Sequence, residues 1–186
     1  MRRIGIALII LALCSLGPIV SSQETKTSRE RSMKLLPAGE TAPDWQLSDA
    51  DGKPHSLSEY RGKIVVMDFW ATWCGPCKEV MPRMQKLYER YQDKEVVVLG
   101  VNSWENNDPV ALMKKKHYSY GLLLKGEEIA EAYKVTILPV VYIIGADGRV
   151  MYSHEGVDDK NLASLIEKYF RAQEIRERVG SNQGKQ

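Results

Sequence analysis

The sequence predicts a layered α/β domain in which a central mixed β-sheet is flanked by helices. Two near-continuous apolar runs, Ile64–Phe69 and Val96–Val101, are typical of strands that are buried on both faces. Segments with apolar residues at helical spacing alternate with these runs along the chain. Because alternating strands and helices pack as layers, a sheet between helices is the expected architecture.

Local patterns predict the other elements. Trp45–Leu47 and His55–Leu57 flank Asp51-Gly52, which indicates an N-terminal β-hairpin. Asp108-Pro109 supplies an N-cap and a first-turn proline for a helix that ends at about His117. The remaining predicted elements are a helix after Cys77, a helix at Glu127–Tyr133, strands at Val140–Ile144 and Val150–His154, and a closing helix around Leu162–Phe170. The predicted order is hairpin, strand, helix, strand, two helices, two strands and helix.

The composition is that of an ordinary soluble globular protein, with 44% apolar and 27% charged residues among 186. The net charge of +2 and the scattered basic residues provide no argument for a nucleic-acid partner. Three cysteines are too few to staple a chain of this length. The hydrophobic core must therefore hold the fold, and any cysteine chemistry must be local.

The first residues resemble an export signal. Arg2 and Arg3 precede an uncharged stretch from Ile4 to Gln23, and small residues lie before its end. We expect residues 1–22 to be a cleaved signal peptide or a retained membrane anchor, because about 17 apolar residues just span a bilayer. Leu11–Cys14 also resembles a lipidation motif, although Leu13 is larger than such motifs prefer. Each interpretation places the rest of the chain in the cell envelope outside the cytoplasm, either periplasmic or membrane-anchored.

Composition divides the rest of the chain into three parts. Residues 23–36 are polar and without apolar period, which predicts a linker. Residues 37–172 carry the strand and helix patterns and predict one domain. Residues 173–186 are polar again and predict a flexible tail.

The spacing of Cys74 and Cys77 indicates redox chemistry. Cys74 follows a predicted buried strand and lies where the next helix begins. The unpaired N–H groups and the dipole of a helix start stabilise a thiolate there. Cys77 lies one turn further along and is able to form a disulfide with Cys74. We therefore expect Cys74 to attack a substrate disulfide and Cys77 to resolve the mixed disulfide.

A structural disulfide and half of a zinc site are the other interpretations of this pair. A CxxC disulfide closes a very small loop and therefore adds little stability. A zinc ion needs about four ligands. Cys14 belongs to the export segment, and the three histidines, His55, His117 and His154, lack ligand spacing. We therefore predict no metal site.

The segment Val66–Cys77, which ends in Trp73-Cys74-Gly75-Pro76-Cys77, resembles the active-site segment of the thioredoxin superfamily. Pro82 stands where thioredoxins kink the following helix. Leu138-Pro139 resembles the cis-proline segment that faces the dithiol in that superfamily. The resemblance implies a thioredoxin fold, thiol-disulfide oxidoreductase activity and no cofactor.

Two further segments resemble the exported TlpA/ResA-like branch of the superfamily. They are Gly39–Trp45 and Tyr60–Lys63, the latter directly before the first buried strand. With the active-site motifs, the resemblance covers about residues 37–172. It implies that the β-hairpin is an N-terminal extension of the thioredoxin fold.

The resemblance also implies substrate-binding residues on both sides of the dithiol. These are Trp73, Gly75 and Pro76 in the CxxC segment, with Leu138 and Pro139. Because proline lacks an N–H, a cis bond at Pro139 would expose neighbouring backbone groups to an extended substrate segment. An ordinary proline at a strand start is the alternative.

Asp68 and Glu105 are candidates for a catalytic proton acceptor. Asp68 is a charged residue inside an otherwise apolar strand, where burial without a partner would raise its pKa. The matching aspartate of thioredoxins moves protons to and from the resolving cysteine, which the resemblance implies here. Glu105 follows the second buried strand, where some ResA-like proteins place a glutamate near the dithiol. Solvent-facing positions are the alternatives for both, and the sequence does not rank the two acceptors.

The residues between the cysteines bear on the direction of transfer. Gly75-Pro76 resembles reducing thioredoxins rather than the Pro-His of oxidising DsbA-like proteins, and these extremes differ by about 150 mV. We therefore expect a reductant of cysteine-containing exported proteins, recharged by a membrane thiol-electron donor. In this branch the implied clients include apocytochrome c before haem attachment and copper-site assembly proteins.

Two other functions share parts of the pattern. A peroxiredoxin would share Ala42-Pro43-Asp44 and Arg61-Gly62-Lys63, but it would have threonine at the position that Ala71 occupies relative to Cys74. A non-enzymatic copper-binding module of the Sco type would have a longer CxxxC spacing and a distant histidine. Both stay open as alternatives to the oxidoreductase.

Overall fold

The computed structural model of the protein describes residues 34–156 and 162–172. The predictions for residues 1–33 and 173–186 concern the export segment, most of the linker and the tail, and they lie outside the described residues. Within the described ranges, no helix is long and apolar enough to cross a membrane.

Seven strands build one mixed β-sheet. In chain order they are β1 at Gln46–Asp49, β2 at Pro54–Ser56, β3 at Ile64–Trp70, β4 at Val96–Asn102, β5 at Gly121–Leu124, β6 at Val140–Ile144 and β7 at Val150–Glu155. Their order across the sheet is β2-β1-β5-β4-β3-β6-β7. The central strand β3 pairs parallel with β4 and antiparallel with β6, and the β1–β2 hairpin joins the sheet through β5. This arrangement confirms the predicted mixed sheet and the N-terminal hairpin.

Four helices accompany the sheet in the described part of the chain. They are α1 at Cys77–Tyr91, α2 at Pro109–Lys115, α3 at Glu127–Ala132 and α4 at 162–172. The predicted cap of α2 is present, because the Asp108 side chain accepts a hydrogen bond of 2.9 Å from the Ala111 N–H. Pro82 lies inside α1 without ending it, as the resemblance implied. A short 3-10 helix at Leu57–Tyr60 connects β2 to the loop before β3.

The predicted order of elements was wrong at β5, which it omitted. This strand is only the run Gly121-Leu122-Leu123-Leu124, and leucine favours helices as readily as strands. What makes it a strand is parallel pairing with β4, in which Leu99 lies beside Gly121. A Cβ on Gly121 would lie 2.7 Å from Leu99 Cδ2, so the close approach needs glycine.

Alternate residues of β3 face two separate hydrophobic cores. Val66 and Trp70 belong to the core that also contains both cysteines and the apolar face of α1. Met67 and Phe69 belong to the opposite core, with Tyr133 and other residues. Because side chains alternate along a strand, Asp68 points into the core of the cysteines.

The surroundings of Gly100 show how tightly the core that contains the cysteines is packed. Gly100 pairs with Asp68 in the β3–β4 ladder, and a Cβ there would lie 2.7 Å from Trp70 Nε1 and 3.0 Å from Tyr120 Cε2. Because both rings are buried and rigid, we expect Gly100→Ala to lower the free energy of unfolding by about 1–3 kcal/mol in urea titrations. Gly75→Ala is the matched control, since nothing lies within 4 Å of its added Cβ. Equal stability of the two variants would contradict this packing.

Candidate active site

Cys74 and Cys77 form a disulfide where the chain leaves β3 and enters α1. Their Cα atoms lie 5.3 Å apart. The Cys77 N–H donates a hydrogen bond of 3.2 Å to Cys74 Sγ. Cys74 is 4% exposed and Cys77 is fully buried, so Cys74 is the sulfur closer to solvent.

The start of α1 directs this amide at the sulfur. Pro76 occupies the N-cap position and no side chain caps the helix. The Lys78 and Glu79 N–H groups donate to the carbonyl oxygens of Gly75 and Pro76, at 3.1 and 3.0 Å. The Cys77 N–H, by contrast, reaches Cys74 Sγ. A negative charge on Cys74 would therefore meet an amide donor and the positive end of the helix dipole.

The Leu138–Pro139 peptide bond is cis, as the resemblance implied. It lies directly before β6, whose first residue Val140 pairs with Phe69 near the end of β3. The chain leaves that end of β3 toward the dithiol. The sheet therefore brings Leu138-Pro139 to the same edge as Cys74 and Cys77.

Exposed apolar side chains surround this edge. Among the described residues, the large exposed ones are Trp73, Trp104 and Ile137, at 50%, 36% and 51% exposure. Trp73 precedes Cys74, Ile137 precedes Leu138, and the Trp73 indole N–H donates to the Trp104 carbonyl oxygen at 2.7 Å. Sequence reasoning missed Trp104, because this hydrogen bond joins residues that lie 31 positions apart in the chain.

Glu105 is hydrogen-bonded to the loop that precedes the cysteines. Its carboxylate accepts bonds from the Thr72 N–H at 2.8 Å, the Thr72 hydroxyl at 2.6 Å and the Asn102 amide at 2.8 Å. The backbone N–H groups of Asn106 and Asn107 also donate to it. Burial raises the pKa of this carboxyl, but the hydrogen bonds outweigh burial and lower the pKa to about 2.

Asp68, unlike Glu105, is buried without hydrogen bonds to its carboxyl group from the described residues. It is fully buried, and neither carboxyl oxygen has a hydrogen-bond partner among the described residues. Burial raises the pKa of this carboxyl well above its usual range. The pKa values of the two candidate carboxyls are therefore shifted in opposite directions, since burial raises that of Asp68 while hydrogen bonds lower that of Glu105.

The sequence and fold of the chain match known proteins. The model of the AhpC/TSA family matches residues 38–153. The chain belongs to the AhpC/TSA family. The thiol-disulfide oxidoreductase ResA of Bacillus thuringiensis subsp. konkukian is 31% identical over 166 residues, which cover 88% of this chain and 92% of that protein. ResA of Bacillus cereus is 30% identical over 172 residues, covering 91% and 96%.

Solved structures of thiol-disulfide oxidoreductases and thioredoxins also resemble the chain. A Chlorobium tepidum protein described as a DsbE thiol:disulfide interchange protein is 28% identical with a TM-score of 0.63, covering 72% of this chain and 98% of that one. The exposed lipoprotein thioredoxin of Streptococcus pneumoniae is 29% identical with a TM-score of 0.56, covering 67% and 99%. The predicted thioredoxin fold is confirmed. The protein is therefore a ResA-like thiol-disulfide oxidoreductase with Cys74 and Cys77 as its redox pair.

The fold brings most of the predicted site residues together. Trp73, Gly75 and Pro76 lie in the dithiol segment, and Leu138 and Pro139 lie at the same sheet edge. Asp68 faces the core of the cysteines, whereas Glu105 lies against the preceding loop through Thr72. Their individual roles stay predictions. Thr72 and Asn102 were missed, since only the hydrogen bonds to Glu105 distinguish them.

Replacing Glu105 by glutamine tests whether its ionised form stabilises the fold. Because the pKa is lowered from 4.5 to about 2 in the folded chain, this stabilisation is complete above pH 4.5 and is lost as the pH falls toward 2. Over that interval we expect the free energy of unfolding, measured in urea, to fall more steeply for the wild type than for Glu105→Gln. Glu128→Gln, at an exposed position of α3, should keep the wild-type slope. Parallel curves for the wild type and Glu105→Gln would contradict this role.

Proposed function

We propose that this thiol-disulfide oxidoreductase is an exported reductant that delivers electrons to disulfides in cell-envelope proteins. The observation that carries the proposal is the Cys74–Cys77 disulfide, whose first sulfur receives the amide N–H at the start of α1. Once the pair is reduced, the same amide and the helix dipole favour a thiolate on Cys74. A thiolate is the nucleophile that thiol-disulfide exchange requires.

Cys74 is the attacking sulfur in this proposal, and Cys77 is the resolving one. Cys74 has the 4% exposure that lets a client disulfide reach it, while Cys77 has none. The Cys74 thiolate attacks the client disulfide, forms a mixed disulfide and releases one client thiolate. The Cys77 thiolate then attacks Cys74 Sγ, which restores the Cys74–Cys77 disulfide and releases the second client thiolate. Two electrons pass from the dithiol to the client.

Asp68 is the proposed proton acceptor for Cys77. It lies on the same core face as Cys77, and burial brings its pKa closer to that of a thiol. Glu105, with a pKa of about 2, is too weak a base to compete at neutral pH. We assign Glu105 the role of fixing the position of Thr72 and, through it, the segment that leads to Cys74.

The proposed client-binding surface surrounds Cys74 at the sheet edge. Trp73, Gly75 and Pro76 form one side and Leu138-Pro139 the other. The exposed Trp73, Trp104 and Ile137 side chains suit an extended apolar segment that flanks the client cysteine. Apocytochrome c before haem attachment and copper-site assembly proteins are the proposed clients, because their cysteines must be reduced before they bind haem or copper.

Export is proposed from the start of the chain. The basic Arg2-Arg3 pair and the apolar segment after it support a signal peptide or membrane anchor at residues 1–22. A linker at 23–36, the catalytic domain at 37–172 and a tail at 173–186 complete the proposed organisation. In an oxidising compartment the disulfide would persist, so a membrane thiol-electron donor is proposed to re-reduce it.

Trapping with Cys77→Ser tests the proposed function. Removing the resolving sulfur leaves Cys74 able to attack, so we expect the reduced full-length variant to accumulate a client in a mixed disulfide, identified on non-reducing gels by mass spectrometry. Cys74→Ser is the matched control. Of the redox pair it retains only the fully buried Cys77, so it should trap nothing through this pair and should lose insulin-disulfide reduction.

Three outcomes would overturn the proposed function. Full insulin reduction by Cys74→Ser would remove Cys74 from the mechanism. Peroxide consumption without an added thiol partner would favour the peroxiredoxin alternative. Stoichiometric retention of Cu(I) without disulfide exchange would favour the copper-binding module.

Asp68→Asn separates the catalytic effect of this carboxyl from its effect on stability. Because burial raises its folded pKa above 3.8, we expect the wild type to lose stability relative to the variant as the pH rises above 3.8, in urea titrations. We also expect release of the mixed disulfide to slow by about tenfold or more at neutral pH, since a general base is lost. Asp51→Asn, at an exposed turn, should change neither measurement. A variant that is less stable but equally fast would contradict both expectations.

A further inference from the structure

Four buried polar atoms lack a hydrogen-bond partner among the described residues and lie in the core behind the dithiol. They are both carboxyl oxygens of Asp68, the Trp70 indole nitrogen and the Tyr120 hydroxyl. Trp70 and Tyr120 belong to the same core as Cys77, and Asp68 points into it from β3. Buried polar groups in native proteins nearly always have partners, so such a group calls for a role.

These groups lie close together around Gly100. Asp68 and Gly100 pair directly in the parallel β3–β4 ladder, so their side-chain positions face the same core. The Trp70 indole nitrogen lies 2.7 Å from the position of a Gly100 Cβ, and Tyr120 Cε2 lies 3.0 Å from it. Both rings therefore occupy the space that glycine leaves open beside Asp68.

Electrostatics independently relates Tyr120 to Asp68. Burial raises the pKa of the Tyr120 phenol, and the negative charge of Asp68 raises it further. The phenol therefore keeps its proton and is a donor at neutral pH. The Trp70 indole N–H is also only a donor, whereas an ionised carboxylate is only an acceptor. The two rings thus carry hydrogen-bond donors that match the acceptors of an ionised Asp68.

We propose that the Tyr120 hydroxyl is a positioning group that, with the Trp70 indole N–H, donates a hydrogen bond to the Asp68 carboxylate once the cysteine pair is reduced and Asp68 is ionised. In the disulfide form neither donor makes this bond. This inference rests on the proposed function, in which Asp68 accepts the Cys77 proton. The Cys77 thiol gives its proton to the Asp68 carboxylate, and the resulting thiolate attacks Cys74 Sγ in the mixed disulfide. The bond between Cys74 and the client sulfur breaks, and the client leaves as a thiolate that takes a proton from solvent.

Asp68 is the only buried charged side chain in the described residues, and the ionisable members of the core it points into are phenols and thiols. Besides Tyr120 and the two cysteines, that core contains Tyr88 and Tyr91 of α1, Tyr118 before β5, Tyr152 of β7 and Tyr169 of α4. Tyr118 is the best control among them. Its ring centroid lies 6.0 Å from that of Tyr120, and it is only partly buried.

The test compares Tyr120→Phe with Tyr118→Phe in the reduced full-length chain. Carboxyl-carbon NMR reports the pKa of Asp68, and single-turnover insulin reduction reports the pH profile. Removing the Tyr120 hydroxyl takes a donor from the carboxylate, so the pKa of Asp68 should rise by about one unit. The pH profile should shift to higher pH by the same amount. Tyr118→Phe should shift neither, and in an Asp68→Asn background Tyr120→Phe should no longer move the profile.

The outcomes separate this inference from the proposed function. An unchanged Asp68 titration in Tyr120→Phe, or an equal shift in Tyr118→Phe, would overturn it while the Cys74 result stands. A lower melting temperature of oxidised Tyr120→Phe with an unchanged titration would indicate a purely structural hydroxyl, which also overturns it. If the wild type reduces no disulfide, the proposed function fails, and the Asp68 titration still reports whether Tyr120 donates to this carboxyl.

Discussion

The hydrogen bond from the Cys77 N–H to Cys74 Sγ depends on how β3 joins α1. β3 is the central strand and is buried along its whole length, so its end has a fixed position. The short segment after it places Cys74 just before the helix and Cys77 at its first residue. Because a helix start offers unpaired amides and a positive dipole end, this junction gives a sulfur the environment of an anion site.

Two carboxyls near this junction have opposite environments and therefore opposite chemical properties. Glu105 accepts several hydrogen bonds, which keep it ionised and bound to Thr72. Asp68 is buried without a partner, which favours its protonated form and makes its ionisation responsive to nearby donors. One carboxyl thus suits a fixed hydrogen-bonding role and the other suits proton transfer. The difference follows from hydrogen-bond donors and burial, since both side chains are simple carboxylic acids.

Much of the fold could be predicted because its signals are local. The apolar runs of β3 and β4, the turn at Asp51-Gly52 and the cap at Asp108 each act within a few residues, and all appear in the structure. β5 could not be predicted, because Gly121–Leu124 becomes a strand only by pairing with β4. The α2 helix also ends earlier than predicted, at Lys115, since His117 adopts a left-handed backbone conformation with φ of 57°.

The sequence by itself determined the redox pair, the proline before β6 and the presence of a charge inside β3. Each is carried by residue type and spacing along a single segment, and spacing survives in any fold. Only the tertiary structure decided that Glu105 bonds to Thr72 and that Tyr120 and Trp70 converge beside Asp68. These contacts join residues far apart in the chain. Strand order brings these residues together, and the missing side chain of Gly100 leaves space for the two rings. No local pattern encodes which distant residues the sheet will bring together.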